Sequence, residues 1–388
     1  MKKKVVKIMF FILIIFHFST AFAYDFESEI QEKVGRVNTS EIDSFIKELN
    51  NKNGEIISNI DLKTYIFNII KGKENINIQM VINRILQLIF SEIYSSMKLL
   101  IQLLILAVLS AILTNLQGAF EEKSISEISF MAVYMIIIVF AIRSFLSALN
   151  IGKEAIDNMV NFMQAMLPVL ITMLVSVGAL ASASFFQPAI IITVEFIAKA
   201  MKDFVLPVIL FMTAIKVVSN LSDKISLNKL GDFMKTITTS SISILLSIFL
   251  GVVTIQGLSS SITDGVISRT AKYSVGAFLP VVGGILSDSI DAIISASLLI
   301  KGAVGIFGLA AILVIITMPL IKLFSMILVY KFAAAVIEPI SDKKIVNLLS
   351  DISISITYVF AVLVSVSVMM FFSITALIGV ASISVMMR

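Results

Sequence analysis

The chain has 388 residues, 58% of them hydrophobic and only 14% charged, with a formal net charge of +4. That balance excludes an ordinary soluble domain and places the chain in a lipid bilayer, and the small positive charge is the ordinary lysine and arginine of a membrane protein, with no nucleic-acid footprint. With no Cys, no Trp and one His, thiol nucleophiles, disulfides, Cys/His metal clusters and most His-based acid–base chemistry are excluded together, so no metal, cofactor or enzymatic role is expected.

Residues 1–23 read as a cleavable signal peptide. Lys2, Lys3, Lys4 and Lys7 precede an apolar core from Ile8 to Phe18, and Ala21-Phe22-Ala23 supplies the small-residue cleavage pattern. The core is short for a span, which predicts a mature chain starting at Tyr24 outside the cytoplasm. Residues 24–97 form an extracytoplasmic amphipathic helical region. Ile42, Phe45, Ile46 and Leu49 recur at helical spacing, Ser40 with Asp43 has the spacing of a capping pair, and Asn53-Gly54 predicts a break. A second stripe from Ile57 to Ile70 ends before Gly72, and a third from Ile78 to Ile89 runs towards the membrane. These stripes serve either a partner or simple packing on each other and the bilayer surface.

Residues 98–150 read as an opening transmembrane hairpin, Leu99–Leu116 and Ile128–Leu149, turned by Glu121, Glu122, Lys123 and Glu127. Gly152–Met163 is polar enough for a surface helix or loop. Two repeat units follow, at 165–256 and 277–380. Ala165-Met166-Leu167-Pro168-Val169 matches Ala277-Phe278-Leu279-Pro280-Val281, and Pro207 and Pro319 lie at equivalent distances beyond. Each unit contains the pattern S-D-K-x-x-x-N-x-L-x-D: Ser222, Asp223, Lys224, Asn228, Leu230 and Asp232, then Ser341, Asp342, Lys343, Asn347, Leu349 and Asp351. Such duplication marks repeated architecture. The fold class is therefore all-α, polytopic, with fused multi-helix repeats. Hydropathy leaves the count at seven or eight crossings. Three crossings per unit would put the two patterns on opposite faces; an even number puts them on one face, which the lysines flanking both patterns favour as the cytoplasmic side.

Ser-Asp at the start of each pattern predicts caps for short interfacial helices, with protein contact as the second reading. Charged residues at membrane depth are the other candidates. Arg143, Lys216 and Lys322 lie where long basic side chains snorkel to headgroups. Glu195 and Lys199, four residues apart, share a helical face and can neutralise one another. Asp288 and Asp291 follow Gly283-Gly284 and suit either a polar path or an extramembrane turn. Gly302, Gly305 and Gly308 after Lys301 read as a helix-packing face. Neither a phosphate loop nor a nucleophile arrangement stands out. Two classes of function survive: a permease-like subunit with a polar path between the repeats, and a scaffold of an export complex.

In the order of its parts, the chain resembles the stage III sporulation protein AE family of endospore-forming bacteria: the signal ending Ala21-Phe22-Ala23, the polar helical stretch before Leu99, the hairpin, and the Leu167-Pro168 and Leu206-Pro207 spans leading to Ser222-Asp223-Lys224. The resemblance implies a multi-pass protein of the mother-cell membrane surrounding the forespore, part of an export-platform-like channel between the two compartments. Its implied partners are other stage III sporulation membrane proteins with their cytoplasmic ATPase, the forespore channel partner and the lipid bilayer, with room for a homo-oligomer. It carries over no catalytic residues.

Overall fold

The computed structural model describes residues 34–35, 39–53, 62–70, 78–117, 123–179, 182–221, 227–278 and 283–386. Among these the secondary structure is helical, with no strand: α1 (Ser40–Asn53), α2 (Leu62–Ile70), α3 (Ile78–Gln117), α4 (Lys123–Ser176), α5 (Gln187–Ala200), α6 (Leu206–Leu221), α7 (Asn228–Phe278), α8 (Gly283–Ile337) and α9 (Lys343–Met386). Two π-helical turns, Ser182–Phe186 and Met201–Val205, bracket α5 and join it to α6 in one rising rod. The signal-peptide reading of 1–23 lies outside the described residues.

The core forms around α9. Its apolar residues Ile345, Leu349, Ile352, Ile356, Val359, Leu363, Val366, Met370 and Ile374 recur every three or four positions, and all are fully buried, which is the pattern of a helix surrounded by others. Helices α8, α4, α7 and α6 pack against it. Glycine sets the closest approaches. A Cβ on Gly152 of α4 would meet Val359 of α9 at 2.9 Å, and one on Gly305 of α8 would overlap Ile378 of α9. Small residues bring backbones together where lipid supplies no hydrophobic drive.

Among the described residues, six helical stretches are long and apolar enough to cross a membrane: Ile82–Ile112, Ile128–Ser176, Ser182–Leu221, Asn228–Gln256, Ile294–Ile337 and Lys343–Gly379. This differs from the seven or eight expected because two pairs of spans are fused. Ile128–Leu149 and Met166 onward belong to one continuous α4, so neither Gly152–Met163 nor the start of the first repeat unit at 165 is a break. Likewise Ala303–Met318 and Leu323–Ile337 are one helix despite Pro319. Membrane helices tolerate such prolines because neighbouring helices and hydroxyls satisfy the freed backbone groups. At 1.5 Å per residue the 54-residue α4 is about 81 Å long against about 30 Å of hydrocarbon. The long helices therefore project well beyond the hydrophobic layer.

The polar middle of α4 is partly roofed by α1, while α2 packs on α8. Phe45 of α1 meets Phe162 of α4 with ring centroids 5.6 Å apart, and Ile42 and Ile46 are buried in the main core. The α1 stripe thus packs inward. At its start Thr39, one residue before Ser40, donates its Oγ1 to Asp43 Oδ2 at 2.8 Å, a side-chain bond across the first turn. The third stripe is the beginning of α3, continuous with the first span, and there Ile82, Ile85 and Leu86 face outward.

Candidate functional site

The two S-D-K patterns begin between α6 and α7 and between α8 and α9, and end inside α7 and α9 at Asp232 and Asp351. From the first turn α7 leads away and α8 leads back, so the second turn returns to the same end of the bundle. The two turns meet there. Asn220 on the last turn of α6 donates through Nδ2 to Asp351 Oδ2 at 2.8 Å, which joins the approach to the first pattern with the last residue of the second.

The same stretch of α6 holds both patterns. Lys216 Nζ reaches Asp232 Oδ1 at 3.2 Å, and its aliphatic stem lies over Gly231, where a Cβ would meet Lys216 Cε at 2.8 Å. Lys216 and Asn220 are four apart and therefore one above the other on α6. Each secures the aspartate that ends one pattern, Asp232 and Asp351 respectively. Ser219 completes the first turn: its Oγ donates to Asn228 Oδ1 at 3.1 Å and accepts from the Leu227 N–H at 3.1 Å. From the opposite side, Tyr134 of α4, with its ring buried, donates its hydroxyl to the Asn220 carbonyl at 3.2 Å.

These contacts differ in weight. Asp232 is largely exposed, so its ion pair with Lys216 contributes only ~0–1 kcal/mol. The Asn220–Asp351 bond is partly buried and charge-assisted, a class worth ~1.5–3 kcal/mol. Lys216 also acts electrostatically on Asp351, so one lysine bears on both turns.

In the second pattern Asp342 is the cap, its Oδ1 accepting the Lys344 N–H at 2.8 Å. Ser341 is not, and its buried Oγ has no hydrogen-bond partner. The capped helix is the 44-residue α9 rather than a short interfacial one. Lys343 and Asn347 are exposed on its first turns. In the first pattern Asn228 opens α7, while Ser222, Asp223 and Lys224 lie outside the described residues.

The other charged candidates do not converge. Glu195 and Lys199 are both exposed on α5, with no ion pair between them among the described residues. Glu195 borders a recess of about 10 Å³ whose other walls include Val194, Ile191 and Met370, a volume that holds no more than a water. The side chains of Asp288 and Asp291 lie outside the described residues. Arg143 and Lys322 are exposed. Lys301 is buried and donates to the Ile378 carbonyl at 2.8 Å. Gly305 and Gly308 face Ile378 and Ile374 of α9 as a packing face, whereas Gly302 opens onto free space.

Asn220, Ser219 and Tyr134 were not among the sequence candidates. The spacing of Lys216 and Asn220 just before Ser222 was a signal for the first; nothing local marks Tyr134.

Across the sequence, the model of the family described as stage III sporulation protein AE matches residues 60–381, which takes in helices α2 to α8, most of α9 and both turns. The chain belongs to the stage III sporulation protein AE family. It is similar to the stage III sporulation protein AE of Bacillus subtilis (strain 168), with 33% identity over 362 residues that cover 93% of this chain and 90% of that protein. No solved structure matches it. Membership gives the chain a role in sporulation, and the six apolar helices make this member of the family a multi-pass membrane protein.

Proposed function

We propose that this chain is an integral membrane component of the mother cell to forespore channel, an export-platform-like complex required for endospore formation, resident in the mother-cell membrane surrounding the forespore. The observation that carries the reading is the convergence of two duplicated turns at one end of the bundle, fastened by Asn220 and Asp351, in a chain of a sporulation family. Polar residues spent on fastening helix ends, with the charged candidates on α5 facing outward, suit a scaffold better than a permease. The exposed Asn228 and Asn347 at the starts of α7 and α9 then face the cytoplasm, where the ATPase of the complex and the neighbouring stage III sporulation membrane proteins dock. Helix α1, seated on α4 at Phe162, lies away from that end, on the side of the forespore partner.

The test is site-specific photo-crosslinking in sporulating cells at positions 228 and 347. The reading expects adducts with other stage III sporulation proteins from both positions, and loss of sporulation on Asn347→Arg without loss of the protein from the membrane. Absence of adducts at both positions together with normal spore yield for Asn347→Arg would remove the proposal.

A further inference from the structure

Among the described residues, the end of the bundle that carries the two turns has an excess of lysine over acid that the fastening leaves exposed. Asp232 and Asp351 are engaged by α6, and Asp342 caps α9. Four lysines remain exposed around them: Lys229 and Lys235 on α7, Lys331 on α8 and Lys343 on α9. Against them Glu338 is the exposed acid of the α8–α9 turn.

Large apolar side chains are interleaved with these lysines. Leu230 is 44% exposed and Phe233 57% on α7, while Phe332 is 57% and Ile340 50% exposed at the end of α8. On a surface meeting water or a purely polar partner, such a mixture would be costly. At the edge of the hydrocarbon it is favourable, because apolar groups enter the acyl region while lysine stems extend along it and place their ammonium groups among the headgroups. Lys235 and Lys331 lie one to two turns deeper than Lys229 and Lys343 along their helices, within the reach of a four-carbon stem. The helices continue directly into stretches of span-forming length and hydropathy.

We propose that this end of the bundle is a binding surface for acidic phospholipid, with Lys229, Lys235, Lys331 and Lys343 holding the phosphate headgroups of one leaflet around the paired turns. The sign follows from charge complementarity: a juxtamembrane lysine near an anionic leaflet is attracted to it, and the contributions sum when several lie together. Because the two turns are fastened side by side, the lysines of both serve one patch of leaflet. Asn228, the first residue of α7, stands at the edge of this patch.

The chain has no Trp, so Phe233→Trp gives a single reporter in the full-length protein. Reconstituted in vesicles of phosphatidylcholine and phosphatidylglycerol, with one or the other brominated on its acyl chains, this variant should be quenched at least about threefold more per molecule by the brominated phosphatidylglycerol. Replacing the four lysines together by Gln should reduce that preference to none, and replacing them by Arg should retain it, which separates loss of charge from loss of fold. Equal quenching by the two lipids would overturn the proposal. So would an absence of quenching by either, which would mean that the surface faces water or protein. A preference that survives in the four-Gln variant would equally remove these lysines from the role.

Discussion

Asp232 and Asp351 occupy the same place in a duplicated pattern but do different work. The first is tied to its own half through Lys216 in an exposed ion pair, and the second is tied across to α6 through Asn220 in a partly buried bond. Their substitutions should therefore differ. Asp351→Ala should lower stability by ~1.5–3 kcal/mol, the class of a lost charge-assisted bond that leaves a buried partner unpaired, whereas Asp232→Ala should cost ~1 kcal/mol or less. Thermal unfolding of the two variants in detergent checks this, and equal shifts would contradict the assignment. At this scale the sequence displayed the duplicated acids but not their partners. Lys216 and Asn220 have no counterparts before the second pattern, where Ala335 and Pro339 stand at the equivalent distances, so comparing the two patterns with each other conceals them. The cap was read one residue off, on Ser341 instead of Asp342, because both residue types suit an N-cap and only the backbone decides where the helix starts.

Among the elements, the helices were legible and their continuity was not. Apolar runs located the main spans but left 185–200 and 275–300 undecided, and hydropathy treats a polar interval as a loop in water or headgroups. In α4 the interval 150–163 remains helical because neighbours cover one side of it: Gly152 seats Val359, and Phe162 meets Phe45. Tertiary contact of that kind is not visible in a window of residues. The α8–α9 contact offers a direct check on glycine packing. Gly305→Val should destabilise the protein by ~1–3 kcal/mol through overpacking against Ile378. Gly302→Ala, which opens onto free space on the same helix, should be neutral or stabilising by up to ~1 kcal/mol through helix propensity. If both variants unfold at the same temperature, the stripe is not the packing face described.

At the scale of the molecule, the six long helices form a bundle in which both turns lie at one end, and α1 packs on α4 at Phe162, about 42 Å along that helix from Tyr134 at the turns. The polytopic all-α class and the resemblance to the sporulation family were legible in composition, order and spacing. The symmetry was not, because the number of crossings between the two turns depends on whether 283–337 is one helix or two, and Pro319 obscures this in the sequence although α8 runs through it. With α7 and α8 as the two rods between them, the turns must share a face. The absence of native cysteine allows this to be measured directly, with Asn228→Cys and Asn347→Cys introduced singly and reacted with a membrane-impermeant maleimide. The account predicts that both positions are protected in intact cells and both are labelled once the membrane is opened; labelling of one but not the other from outside would contradict it.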